Sequence, residues 1–178
     1  MAYALLIIAS VGLVAAADVM AVSSWTHAWT PLAGLALLFL YVLAVHFQFQ
    51  VHSGWATDAS TVPAVATALL RPPGIGMLIA GIGLLIYTVS RRRLGLKGIF
   101  NAASAMLAVG AAAHLASALG GPTLLTSGSG WTALPVAVLA STAYYLVSAV
   151  TVAGAVALDQ KRSVWTVLRG KIGAKALA

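Results

Sequence analysis

Between Lys97 and Asp159 the chain carries no Asp, Glu, Lys or Arg. It reaches Lys97 through a basic burst, Arg91, Arg92 and Arg93, that itself follows an uncharged run from Pro73 to Ser90. Few folds tolerate this. A helix of about 20 apolar residues crosses a bilayer, and lipid requires backbone polar groups to be satisfied internally, as a long helix does. The runs lack the period-2 alternation of a lipid-facing barrel strand. Composition agrees: 7% of residues are charged and 61% hydrophobic, where a soluble domain has about 25% charged. The expected fold class is all-α, a polytopic membrane bundle with lipid as its partner.

Six apolar segments fit within the 178 residues, at about 3–22, 31–50, 59–71, 73–90, 98–119 and 133–158. They form one transmembrane domain over 1–160, followed by a basic tail at 161–178. Pro31 suits a helix's first turn, and "RPPG" stops the third segment because two prolines cannot continue a helix. That segment rises only about 20 Å, so there are six crossings if it spans and five if residues 59–71 are re-entrant; six is the expectation. The N-terminus lacks the Lys or Arg of a signal-peptide n-region and reads as a retained first helix.

Basic residues set the orientation. Arg91, Arg92, Arg93 and Lys97 lie between segments four and five, while Lys161, Arg162, Arg169, Lys171 and Lys175 follow segment six. Two crossings separate the groups, so they share a side, which the positive-inside rule makes cytoplasmic. The expected location is the cell inner membrane, multi-pass, with the C-terminus cytoplasmic. Arg71 falls on the outer face as a tolerated exception, and Trp25, Trp29 and Trp131 fall near outer helix ends. The net charge of +7 reads as lipid-facing anchors rather than a nucleic-acid surface, because the basic residues sit at the ends of apolar runs. Ala108, Ala112, Ala116 and Gly120 repeat at small-xxx-small spacing, and Gly74, Gly76, Gly81 and Gly83 thin the fourth segment. Both patterns fit packing within one chain or a homodimer.

Enzyme chemistry has little to work with. The only acids are Asp18, Asp58 and Asp159, and there is no cysteine. Asp58 is placed to cap the third helix, Asp159 is a solvated end, and Asp18 is either a functional intramembrane acid or an interfacial one. The four histidines, His27, His46, His52 and His114, include no pair at i, i+3 or i+4. No metal site, cofactor or catalytic residue is assigned, and no phosphate-binding loop is present.

Polar residues inside the apolar segments are the remaining candidates: His46 and Gln48 late in the second, Asn101 and Ser104 early in the fifth, and Tyr144, Tyr145 and Ser148 in the sixth. Asn101, Ser104 and Ala108 share a helix face. An unsatisfied amide in hydrocarbon costs several kcal/mol, so Asn101 is expected to face protein, either as interhelical glue or in a polar cavity. His114 lies roughly 20 Å further along the helix axis, too far to share a small pocket with it.

"RRRLGLKGIFNAASAM" and "STAYYLVSAV…RSVWTVLR" resemble the N-terminal multi-helix membrane region that precedes HD-GYP phosphohydrolase or diguanylate cyclase domains in bacterial signalling proteins. Lys97, Phe100, Asn101, Ala102 and Ala103 match its first motif; Tyr144, Tyr145, Leu146, Val147 and Trp165 match its second. Ser104 and Ser148 stand where that region usually has Gln and Asn, so hydroxyls replace amides here. The resemblance implies a sensory or small-ligand-binding module that passes a helix shift to a cytoplasmic signalling domain. It also implies either a free-standing version or a piece of a longer protein. The architecture is also similar to the S components of energy-coupling factor transporters, with Ala17 and Ala21 at the spacing those use to dock a coupling subunit. That likeness implies a substrate-binding subunit for a micronutrient. A purely structural membrane protein is the third reading.

Overall fold

Pro72 and Pro73 turn the chain from one helix into the next. The residue before a proline is pushed out of the α region, and Arg71 is extended (φ −129°, ψ 152°), its N–H donating back to the Thr67 carbonyl at 3.0 Å to close one helix as Pro73 opens the next. In this computed structural model, residues 7–12, 31–46, 48–52, 55–92, 95–120 and 130–169 are described, with backbone alone at 31, 48–52, 55–58, 130 and 132. They form α1 (7–12), α2 (Pro31–His46), β1 (Gln48–His52), β2 (Trp55–Asp58), α3 (Thr61–Leu70), α4 (Pro73–Ser90), α5 (Leu96–Ala118), α6 (Gly130–Asp159) and α7 (164–169). Asp18, Trp25, Trp29, His27, Ala17, Ala21, Arg93, Lys171 and Lys175 lie outside the described residues.

Helices dominate, and α4, α5 and residues Ala133–Asp159 of α6 are long and apolar enough to cross a membrane; α2 and α3 are shorter apolar helices. This is compatible with a membrane protein. The exposed side chains agree: Leu32, Leu35, Phe39 and Leu43 form an outward row along α2, and Leu139, Leu146 and Val150 an outward face on α6. Spacings of three, four and seven put each row on one helix face, and contiguous exposed apolar surface marks a membrane or partner contact.

One expected boundary is corrected. The second helix was to run to residue 50, but it stops at His46. Gln48–His52 instead pairs antiparallel with Trp55–Asp58, Gln48 opposite Asp58 and Gln50 opposite Ala56. The reason is local: "FQFQVH" alternates apolar and polar at period 2. Asp58, expected at the cap or near-cap of α3, is the last residue of β2. Ser60 holds the cap position, with no side-chain cap bond. The tail also gains a turn of helix, α7, in the stretch expected to be only a basic extension.

Small residues let the helices close up. Ala108, Val109, Ala112 and Ala113 are fully buried on α5, and Ala116 nearly so. A Cβ on Gly83 would come within 2.5 Å of the Tyr41 ring, and one on Gly81 within 2.5 Å of the Met106 sulfur. Both small-residue stripes are thus used inside the single chain. Ile7 and Val11 of α1 pack with Met77, Phe100 and Ala103.

Polar contacts fix how the helices run. Ser104 stands eight residues after the start of α5 and Thr151 eight before the end of α6, and their hydroxyls meet at 2.8 Å. Both are therefore about 12 Å from their helix ends, so α6 leaves the bundle level with the start of α5. At the same end the His46 ring meets the Tyr87 ring edge-on, centroids 4.9 Å apart, and the Arg91 guanidinium lies 5.7 Å from the Tyr87 centroid. Arg91, Arg92, Lys97, Lys161 and Arg162 therefore gather at one end of the bundle. The helix stops differ accordingly. At the other end α5 finishes on Gly120 (φ 73°); at the basic end, α4 and α6 finish on Arg92 and Lys161, both at φ 51°. That left-handed conformation costs a residue with a Cβ about 1–2 kcal/mol. A charge sits where glycine would be easier, at helix C-termini that favour cations.

Candidate functional site

Five of the seven polar candidates, Asn101, Ser104, Tyr144, Tyr145 and Ser148, line one cavity of about 310 Å³. Helical spacing brings them there: Asn101 and Ser104 are three apart on α5, and Tyr144 and Ser148 four apart on α6. Tyr41 from α2 and Ser60 and Thr61 from the start of α3 complete the polar wall, and Leu84, Ala105 and Val152 supply the apolar remainder. Tyr41, Ser60 and Ser104 are buried, whereas Asn101 and Tyr145 are exposed, so the cavity runs inward from a mouth between α5 and α6.

Hydrogen bonding assigns the seam its donors. The Thr151 hydroxyl donates to the Val147 carbonyl at 2.7 Å, with the Ser148 carbonyl at 3.0 Å. A hydroxyl has one proton, so Ser104 is the donor across the 2.8 Å contact and Thr151 the acceptor. Ser104 then offers the cavity only its remaining acceptor capacity. This pair is the interhelical bond, made by Thr151 and not by Ser148. Its coupling should be about 0.6–1.7 kcal/mol, the range for hydrogen bonds between membrane helices. A double-mutant cycle of Ser104→Ala and Thr151→Val, read by denaturant unfolding in detergent micelles, checks it. Thr151→Val alone should cost more than the double variant loses on adding it to Ser104→Ala, because it strands a buried donor.

Asn101 departs from expectation. It was to face protein, but it is exposed at the cavity mouth and makes no side-chain hydrogen bond among the described residues. It stands five residues beyond Leu96, about 7 Å along the axis, near enough to the basic end that the amide need not be sealed by protein. His46 lies outside the cavity lining. Its Nδ1 is 2.7 Å from the Val42 carbonyl, which can only accept, so Nδ1 carries the proton and the ring rests on Tyr87. Gln48 has its backbone in β1, and its side chain lies outside the described residues. His114 does not line the cavity.

Tyr41, Ser60, Thr61 and Thr151 are the residues that sequence reasoning missed. Thr151 carried a signal, since Tyr144, Ser148 and Thr151 fall at i, i+4 and i+7. Tyr41 interrupts a leucine-rich run, "LLFLYVLAVH", without a pattern to flag it. Among the described residues no three His, Cys, Asp or Glu side chains gather as a metal site would need. No family model, no curated protein and no solved structure matches the chain.

Proposed function

We propose that this chain is an inner-membrane module that binds a small molecule in the cavity between α5 and α6 and passes a helix displacement through α6 to a cytoplasmic partner. One observation carries the reading: side chains from α2, the start of α3, α5 and α6 converge on a polar cleft that opens between α5 and α6 of an otherwise apolar bundle. Pockets of this kind, with a few polar groups on an apolar scaffold, hold small ligands.

The topology supports it. Arg91, Arg92, Lys97, Lys161 and Arg162 lie at one end, which the positive-inside rule makes cytoplasmic. α3 rises only about 15 Å and lies beside α2, with Leu37, Leu40, Leu43 and Ala44 on one side of a shared groove and Ala59, Val62, Pro63 and Ala66 on the other. On the output side, the Ser104–Thr151 bond ties the cavity wall to α6, whose exposed basic end leads directly into α7.

A ligand that binds only the folded state raises its stability. A panel of polar metabolites should therefore contain at least one that raises the melting temperature of the detergent-purified protein. Ser148→Trp, which fills the cavity, should abolish that shift while leaving the unliganded protein folded. No shift from any compound, or an equal shift in Ser148→Trp, would refute the reading.

A further inference from the structure

Most of the chain's positive charge has no internal counterpart. Arg91, Arg92, Lys97, Lys161, Arg162 and Arg169 are all exposed, and none of them meets a carboxylate among the described residues. The chain's three acidic side chains, wherever they lie, could offset no more than half of these six cations. The first five gather at one end of the bundle, and Arg169 follows on α7.

Backbone and ring geometry hold several of them in place. Arg92 and Lys161 are both left-handed, at φ 51°. At Lys161 the Arg162 N–H donates to the Ala157 carbonyl at 2.8 Å, the closure of a helix end at which glycine is the usual residue. An exposed cation gains less from the helix dipole than a Cβ loses in that conformation. Arg91 lies over the Tyr87 ring at 5.7 Å, and Arg169 over the Trp165 ring at 5.2 Å. A ring orients a guanidinium without using up its fork of N–H donors, which matches phosphate oxygens in pairs.

Lys161 also ends the α6 axis, so α7 sets off in a new direction, with Ser163 Oγ accepting the Trp165 N–H at 3.2 Å as its cap. Trp165 is 59% exposed and Val164 39%. An exposed indole among cations, just past a helix long and apolar enough to cross lipid, suits the headgroup layer.

We propose that residues 161–169, together with the turn after α4, form a binding surface for anionic phospholipid: Val164 and Trp165 seat among the headgroups and the six cations take the phosphates. Orienting the chain would require only that charge be present in these loops. A phosphate-binding surface also accounts for cations kept at left-handed positions and for guanidiniums steadied by rings. The attraction acts only within about a Debye length, roughly 8–10 Å, so the charge of the leaflet decides whether α7 lies on the membrane or leaves it.

The full chain in nanodiscs of phosphatidylcholine, with and without phosphatidylglycerol, provides the test. Val164→Cys, the single thiol in a chain without cysteine, carries an environment-sensitive fluorophore. Its emission should shift to the blue when phosphatidylglycerol is present and return at about 1 M salt, where the screening length is about 3 Å. Arg92→Gly with Lys161→Gly removes two cations and their backbone cost together. That variant should melt no lower than the parent in phosphatidylcholine, yet release α7 at a salt concentration lower by about two-fold or more. Lys97→Gln with Arg162→Gln, which leaves both left-handed residues in place, should lower the release point likewise. Emission identical in the two lipids, a release point unmoved in either double variant, or a glycine variant that melts lower than the parent overturns the proposal. Glycerol phosphate added to phosphatidylcholine discs should give no blue shift; an equal shift there would make a free anion the ligand and overturn the assignment to lipid.

Discussion

Tyr41→Ala should destabilise the protein by about 3–5 kcal/mol, the range for removing a large buried aromatic side chain. Tyr41 is among the largest fully buried side chains, 1% exposed. It stands where three parts of the structure meet: its ring presses on Gly83 of α4, it packs within the main core cluster, and it forms part of the cavity wall. Truncation removes ring contacts from a site whose neighbours, backbone on one side and a cavity on the other, cannot collapse to fill it. Tyr41→Phe keeps the ring and should lose far less. Unfolding by denaturant in micelles measures both, and a Tyr41→Ala loss under 1 kcal/mol would mean that α2 is not seated on α4 as described.

Gly83→Ala should cost about 1–3 kcal/mol, the usual penalty for overpacking. The added Cβ would lie 2.5 Å from one Tyr41 ring carbon and 3.2 Å from another. The ring is buried and stiff, so relief requires α2 and α4 to part. Helix propensity pulls the other way, since alanine is better than glycine in a helix interior by roughly 0.5–1 kcal/mol. Gly34→Ala isolates that opposing term: nothing lies within 4 Å of a Cβ there, so the change should be neutral or slightly stabilising. Because the two partners touch, Gly83→Ala and Tyr41→Leu should be strongly non-additive. The smaller side chain should recover much of the loss caused by the alanine.

The parts of the fold legible in the sequence were those whose ends are marked by chemistry. α4 is bounded by Pro73 and Arg91, and both termini came out as expected; α5 and α6 moved by a few residues at most, with Lys97 in the first turn of α5 and Asp159 the last residue of α6. α2 was misjudged at its C-terminal end for a specific reason. Phe47, Phe49 and Val51 keep the stretch apolar on average, and averaging hides the alternation that makes it a strand. The site divides the same way. Asn101, Ser104, Tyr144 and Ser148 were legible because helical spacing alone aligns them on two faces. Tyr41, Ser60 and Thr61 reach the cavity only through tertiary packing of α2 and α3, which no local pattern encodes. The amide of Asn101 was assigned inward because the cost of an unsatisfied amide was charged at full hydrocarbon depth, when it lies barely a turn from the helix end.

The whole account rests on α4, α5 and α6 crossing lipid with their basic ends on the cytoplasmic face. The cysteine-free sequence permits a direct measurement: Lys97→Cys, Arg162→Cys and Trp131→Cys, each labelled by a membrane-impermeant maleimide in intact and in opened cells. The account predicts that Trp131→Cys labels in intact cells, and that Lys97→Cys and Arg162→Cys label only once the cells are opened. Labelling of Lys97→Cys and Arg162→Cys from opposite sides, or of all three in intact cells, would contradict it.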